Sequence, residues 1–299
     1  MRDATKGFWA MVAACVIWGL SGLYYKALSQ VPPIEVLAHR TLWSFLFFGA
    51  VLAGQGRLAR LAEALASRAL PLIAVAALVI STNWFGFIWS VQHGRAVEAS
   101  LGYYIFPLVA VALGLVVFGE KMGRGQAVAV AIAGAAVLWL TWALGAAPWI
   151  ALLLAGTFGL YGLVKKRLEI GPIVSVTAEV ALLAPFALAL LLAQHFGAFG
   201  FAPGSGAFGS DLKTTAMLAF SGVLTGGPLM LFSYAAQRVR LATLGLIQYL
   251  NPTLQFTVAV AIFGEPFTHA HAIAFPMIWV ALALYSAASL RGARETAES

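Results

Sequence analysis

Ten long apolar segments dominate this chain and restrict what it can fold into. Each is close to the ~20 apolar residues that a helix needs to cross the hydrocarbon core of a bilayer. They cover residues 7–28, 34–54, 70–91, 96–118, 124–142, 147–164, 172–194, 213–236, 241–263 and 269–290. Only 10% of the residues are charged, whereas a soluble domain has about 25%. The sequence therefore predicts an all-α polytopic membrane protein with ten transmembrane helices.

The connections between these segments are short, with two exceptions. One is 55–69, which we interpret as an interfacial helix, and the other is the Gly-rich stretch 197–212.

The positions of lysine and arginine predict the orientation in the membrane. Of the 18 basic residues, 14 fall on the side that holds the N-terminus. Basic residues are enriched in cytoplasmic loops, so both termini are predicted to be cytoplasmic. The net charge of +7 follows from this topology, and no basic cluster with interleaved aromatic residues indicates nucleic acid.

An internal repeat relates the two halves of the chain. The stretch Gln92–Glu120 aligns with Gln237–Glu265, with eight of 29 positions identical, and Gly19–Lys26 aligns with Gly159–Lys166. We therefore expect a first five-helix repeat over 1–143 and a second over 144–299. Because five spans is an odd number, the second repeat must be inverted. Inverted repeats are typical of secondary transporters, which bind substrate near the midplane between the halves, and this predicts a central cavity.

Two prolines at matching depth, Pro107 and Pro252, indicate where a substrate would bind. Each removes the hydrogen bond to the carbonyl four residues earlier, and polar side chains surround both positions. We predict that these side chains bind substrate: Tyr103, Tyr104, Gln248, Tyr249 and Asn251. The alternative is that neighbouring groups simply satisfy the freed carbonyls. Pro228, in Gly-Gly-Pro, indicates a further helix break or hinge, although its glycines would also suit close helix packing.

Ionisable residues inside spans are costly and usually face protein or a cavity. His39 and Glu179 are candidates for gating or for proton-linked transport, the alternatives being a hydrogen-bonded structural histidine and a partner for a cytoplasmic base. Glu35, near the outer boundary, is either solvated or paired with Arg40.

Aromatic and polar residues in the first and third segments are typical of a pocket for a small, partly apolar metabolite. The predicted substrate-binding residues here are Trp18, Asn83 and Trp84. For any single aromatic residue, the alternative is packing or a position in the interfacial belt.

Gly19-Leu20-Ser21-Gly22 has the form of an intramembrane serine protease motif. The aligned Gly159-Leu160-Tyr161-Gly162 keeps both glycines and lacks the serine, and no base is placed to activate Ser21. We therefore expect no enzyme activity. No metal-site spacing or P-loop occurs, and the single cysteine excludes an intramolecular disulfide, so we expect no metal and no cofactor.

The ten spans, the mid-helix prolines and the FGE sequences that end at Glu120 and Glu265 resemble the EamA family of the drug/metabolite transporter superfamily. The segment Val31–Ser44, VPPIEVLAHRTLWS, resembles its RarD-like branch, whose relatives include aromatic amino-acid exporters. The resemblance implies an inner-membrane exporter with a basket of segments 1–4 and 6–9 and with segments 5 and 10 peripheral. Glu120 and Glu265 are expected to be structural caps.

The predicted function is export of amino acids, including aromatic and other apolar ones, across the bacterial inner membrane by alternating access. Export of another small metabolite or drug remains an alternative, as do an intramembrane protease using Ser21 and a channel-like or structural membrane protein. The expected partners are an amino acid substrate and the lipid bilayer, and the chain is compatible with a monomer.

Overall fold

The computed structural model of the protein describes residues 2–118, 123–145, 147–239 and 241–298, which are almost entirely helical. The helices are α1 (Arg2–Ala27), α2 (Pro33–Gly54), α3 (Leu58–Leu65), α4 (Leu70–Gln92), α5 (Ala96–Phe118), α6 (Arg124–Leu144), α7 (Trp149–Lys166), α8 (Pro172–Phe196), α9 (Leu212–Ala236), α10 (Leu241–Gln248), α11 (Leu250–Thr257) and α12 (His269–Glu298). A π-helical segment, Val258–Ile262, continues α11.

Nine helices in the described residues are long and apolar enough to cross a membrane. They match the predicted segments with shifts of a few residues at their ends, so the all-α polytopic class is confirmed. The remaining predicted span, 241–263, the ninth in chain order, is divided into α10, α11 and the π-helical segment. The amide of Tyr249 bonds back only three residues, to Leu246 at 3.3 Å, and Pro252 has no amide proton to donate to Gln248.

The other two prolines predicted to break helices do not interrupt them. Helix α5 continues through Pro107 and α9 through Pro228. This corrects the prediction, and the reason is that a proline removes one backbone donor while the bonds on either side can keep the helix continuous.

Helix α2 packs on α8 and α9, α1 packs on α9 and α11, and α5 and α4 pack on α7, while α6 pairs with α12 at the side of the bundle. Glycines allow two of these close approaches. A Cβ added at Gly222 of α9 would lie 2.3 Å from the carbonyl oxygen of Trp43, and one at Gly102 of α5 would lie 2.8 Å from that of Ala151. Small residues let the backbones of membrane helices approach closely in this way.

The predicted helix within 55–69 is present as α3. Its buried Ala64 belongs to an apolar cluster with Val174 and Ala178 of α8, so one face of α3 packs on the bundle while Arg60 and Glu63 on the other face are exposed.

A buried carboxylate fixes the start of α5. The two carboxylate oxygens of Glu265 each accept a 2.8 Å hydrogen bond, from the amides of Ala96 and Val97. An acceptor at a helix N-terminus satisfies amides that have no partner within the helix. Glu265 is thus a structural cap, as the sequence predicted, whereas Glu120 lies outside the described residues.

Candidate functional site

A cavity of about 940 Å³ lies in the middle of the bundle. Its walls come from α1, α2, α4, α5 and α7–α11, with Tyr285 and Ser286 added by α12. The resemblance implied that the last span is peripheral, and α12 does lie at the side of the bundle with α6 while adding only these two residues to the cavity wall. The volume is near the upper end of the ~300–1,000 Å³ usual for small-molecule pockets.

Most of the residues predicted to bind substrate line this cavity. They are Trp18, Asn83, Trp84, Tyr103, Gln248, Tyr249 and Asn251, together with the prolines Pro107 and Pro252. Four other predicted residues do not line it: Tyr104, His39, Glu179 and Pro228.

Tyr104 points away from the cavity. Its hydroxyl lies 2.7 Å from Thr253 Oγ1, and its ring contacts Phe275 edge-on at 5.9 Å between centroids. Consecutive residues on an α-helix are about 100° apart, so a helix that points Tyr103 into the cavity turns Tyr104 into the neighbouring helices.

His39 lies at one end of the bundle, against the segment between α8 and α9. Its ring stacks on Phe208 at 4.9 Å between centroids, and its Nε2 atom has no hydrogen-bond partner among the described residues. One turn earlier, Glu35 is fully buried and accepts a 2.5 Å hydrogen bond from the amide of Ala207. Glu35 is therefore neither solvated nor paired with Arg40, and together with His39 it attaches this segment to α2.

Glu179 lies just behind the cavity wall. It is 1% exposed and forms a 2.6 Å ion pair with Lys165 Nζ. It also accepts hydrogen bonds of 2.9 Å from the hydroxyls of Tyr161 and Ser175. Lys165 and Tyr161 do line the cavity, so a ligand would reach the carboxylate only through them.

Asn83 lines the cavity, but its side-chain amide already makes three hydrogen bonds within the protein. Its amide nitrogen donates to the Leu154 carbonyl at 3.0 Å and to Thr157 Oγ1 at 2.9 Å. Its amide oxygen accepts a 2.9 Å bond from the Tyr103 hydroxyl. Asn83 thus joins α4 to α7 and fixes the orientation of Tyr103.

Arg40 lines the cavity and was not among the predicted binding residues. It is 8% exposed, its guanidinium lies 4.1 Å from the centre of the Trp84 ring, and its Nη1 donates to the Tyr25 hydroxyl at 2.8 Å. Its Nε has no hydrogen-bond partner, and no carboxylate pairs with it, within the part of the chain that the structure describes. The sequence did contain a signal, because an arginine inside a span is unusual. Arg40 was considered only as a partner for Glu35, so its place in the cavity wall was not predicted.

Aromatic rings form much of the remaining wall. Phe158 makes edge-on contacts with Tyr103 at 5.9 Å and with Phe106 at 4.9 Å, and Phe87 contacts Tyr103 at 5.7 Å. These rings give the cavity largely apolar walls, and Arg40 adds a positive charge that no carboxylate of the described residues pairs with.

The cavity opens at one end of the bundle and is closed at the other. Pro172, Ala236 and Gln237 line it and are exposed, so it reaches the surface beside Lys165. At the opposite end, the Glu35 and Phe208 contacts hold the α8–α9 segment against α2.

Ser21 lines the cavity, but its hydroxyl donates to the Trp18 carbonyl of its own helix at 2.6 Å. The preceding glycine has a packing role, because a Cβ at Gly19 would lie 2.6 Å from Leu254 Cβ.

Comparison with known proteins gives a consistent set of relatives. A family model described as the EamA-like transporter family matches residues 5–142. An uncharacterized transporter of Bacillus subtilis (strain 168), YojE, is 38% identical over 98% of this chain and 97% of its own length. Protein RarD of Streptomyces exfoliatus is 41% identical over 94% of this chain and 88% of its own. Protein RarD of Escherichia coli (strain K12) is 35% identical over 99% of both chains.

A solved crystal structure has the same fold. The two chains are 17% identical, the similarity covers 94% of this chain and 97% of the other, and the TM-score is 0.59.

Proposed function

Because the chain belongs to the EamA-like transporter family, in its RarD-like branch, we propose that it exports amino acids, aromatic and other apolar ones included. Because it belongs to this family, the protein is a membrane transporter. Its long apolar helices and its bacterial relatives indicate a multi-pass protein of the inner membrane. The choice of amino acids as substrates is our proposal, and the cavity supplies the argument for it.

Arg40 is the observation that carries the proposal. A guanidinium presents a planar set of donors that matches a carboxylate, and this one lines the cavity with no carboxylate of the described chain paired to it. A charge held inside a membrane protein is costly and marks a substrate or ion pathway. The α-carboxylate of an amino acid would neutralise Arg40 during transport.

The rest of the cavity fits the other two parts of an amino acid. Trp84, Phe106 and Phe158 offer apolar surface for a side chain, and a flat ring would stack or pack edge-on among them. Pro252 leaves the Gln248 carbonyl without its usual helical donor, and the Gln248 side chain, which also lines the cavity, makes no hydrogen bond within the described residues. An α-ammonium group can donate to these oxygens.

The asymmetry of the cavity supports alternating access. We also propose that both termini are cytoplasmic, from the lysine and arginine distribution, so the open end beside Lys165 faces the compartment from which an exporter loads. The sequence repeat supports two inverted halves. The packing agrees with that proposal. The repeat aligns α1 with α7 and α4 with α9, so a contact between α1 and α9 should have a counterpart between α7 and α4, and both contacts are present.

The Lys165–Glu179 pair supports a role in gating or proton-linked transport. It lies at the open end, where a substrate entering the cavity passes Lys165. If the substrate carboxylate takes the place of Glu179 beside Lys165, loading breaks the ion pair that joins α7 to α8 at this end of the cavity.

The experiment is uptake of labelled amino acids into proteoliposomes that contain the purified protein, with and without a pH gradient. We expect saturable counterflow of phenylalanine that threonine and methionine inhibit. No counterflow of any amino acid, together with transport of another metabolite or a drug, would overturn the amino acid proposal.

A second arm uses Ser21→Ala, which removes the hydroxyl required by the intramembrane protease alternative. Transport by this variant should equal that of the wild type. Proteolysis that disappears in Ser21→Ala would support the protease instead.

A further inference from the structure

A second cleft, of about 850 Å³, lies outside the transport cavity, between α3 and the turn that joins α7 to α8. We propose that it binds the phosphate of an anionic phospholipid. This inference does not depend on the substrate of the transporter, because it concerns another site and is tested by lipid binding.

Arginines from two separate parts of the chain line this cleft. Arg57, Arg60 and Arg68 come from the segment around α3, and Arg167 follows α7. Two carboxylates, Glu63 and Glu169, also line it, so four positive charges against two negative ones leave the lining with a net charge of +2. The cleft thus has the charge to bind an anion.

Two of these arginines keep their charge available for a ligand. Arg57 donates to the Gln55 side-chain oxygen at 3.3 Å, and because this amide is neutral, the charge of Arg57 remains uncompensated. Arg68 makes no ion pair with any carboxylate of the described segments. Arg60 pairs with Glu63 at 3.7 Å, with both side chains at least 65% exposed, and such a pair is worth little in water. Arginine binds phosphate through two parallel hydrogen bonds, which favours a phosphate over a chloride ion.

The surroundings favour a lipid over a free phosphate. The cleft is lined on its inner side by the buried Ala64 and Val174, and the nearby Leu58 and Leu70 are 50% and 36% exposed. Helix α3 packs its apolar face on α8 but leaves Leu58 exposed near the arginines, so apolar surface and positive charge lie side by side, as at the membrane interface. Basic pockets between helices on the cytoplasmic side of a membrane bind lipid head groups. The proposed orientation places the cleft on that side, where the exposed leucines would contact the acyl chains.

The test is native mass spectrometry of the full-length transporter, delipidated in detergent and titrated with dioleoyl phosphatidylglycerol or dioleoyl phosphatidylcholine. We expect the wild type to bind phosphatidylglycerol preferentially. Changing both Arg57→Gln and Arg68→Gln should weaken that binding about tenfold, because it removes charge-assisted hydrogen bonds to the phosphate. Changing Glu63→Gln and Glu169→Gln should strengthen it.

The matched control also removes two positive charges outside the cleft, by Arg95→Gln between α4 and α5 and by Lys213→Gln in the first turn of α9, and should leave binding unchanged. Equal binding of the two lipids by the wild type would overturn the proposal, as would equal loss in the control and the cleft variant. Displacement of the lipid by an equimolar amount of glycerol phosphate would also overturn it, because the ligand would then be a soluble phosphate.

Discussion

The guanidinium of Arg40 is stabilised within the bundle by contacts that leave it able to bind an anion. It stacks over Trp84 and donates to the Tyr25 hydroxyl. A cation over an aromatic ring gains about 0.5–2 kcal/mol, less than the cost of removing a full charge from water. The carboxylate of the proposed substrate would supply the missing compensation, so the charge that is costly to bury would favour binding of an acid.

Substitution of Gln248 tests the part of the cavity wall that α10 contributes. We expect Gln248→Ala to raise the KM for phenylalanine about fivefold, because it removes one hydrogen bond worth about 1 kcal/mol, with little change in the melting temperature. Counterflow kinetics in proteoliposomes measure the first quantity and thermal unfolding in detergent the second. An unchanged KM would remove the Gln248 side chain from the binding site.

Tyr104 should behave in the opposite way. Tyr104→Phe removes the 2.7 Å hydrogen bond to Thr253 and should lower the free energy of unfolding by about 0.5–1.5 kcal/mol. Because the side chain faces away from the cavity, the KM should equal that of the wild type. A raised KM with unchanged stability would show that Tyr104 reaches substrate.

At the scale of single helices, glycines decide which pairs can approach. Gly222→Ala would place a methyl group 2.3 Å from the Trp43 carbonyl oxygen, and both backbones would have to separate. We expect a loss of about 1–3 kcal/mol in stability, measured as a lower melting temperature. Gly227→Ala is the matched control on the same helix, because nothing lies within 4 Å of the added methyl. Equal melting temperatures for the two variants would contradict the α2–α9 packing.

The positions of the helices could be predicted from the sequence more closely than their rotations. Long apolar runs locate spans well, but a helix that is apolar on all sides has little periodicity to show which face is buried. The sequence therefore predicted Tyr103 and Tyr104 equally, although the structure turns Tyr103 into the cavity and Tyr104 towards Phe275. Arg40 was missed for a related reason, since the sequence does not show that Glu35 bonds to a segment more than 170 residues further along the chain.

At the scale of the whole molecule, the two ends of the cavity differ. It is open beside Lys165, Ala236 and Gln237 and is closed at the other end, where Glu35 bonds to Ala207. Alternating access requires the closed end to release these contacts while the open end seals. The Glu35 contact lies at the closed end and would have to break, whereas the Lys165–Glu179 pair lies at the open end, beside the surface that would have to seal.

The most direct test of the account is competition for phenylalanine counterflow by phenylalanine and by phenylalaninamide, which lacks the carboxylate, in wild type and in Arg40→Gln. We predict that the wild type is inhibited strongly by phenylalanine and at least about tenfold more weakly by the amide, because a charge-assisted pair is lost. Arg40→Gln should transport more weakly and lose this discrimination, while Arg40→Lys should retain part of it. Equal inhibition by both compounds in the wild type, or full discrimination in Arg40→Gln, would contradict the proposed binding of the substrate carboxylate by Arg40.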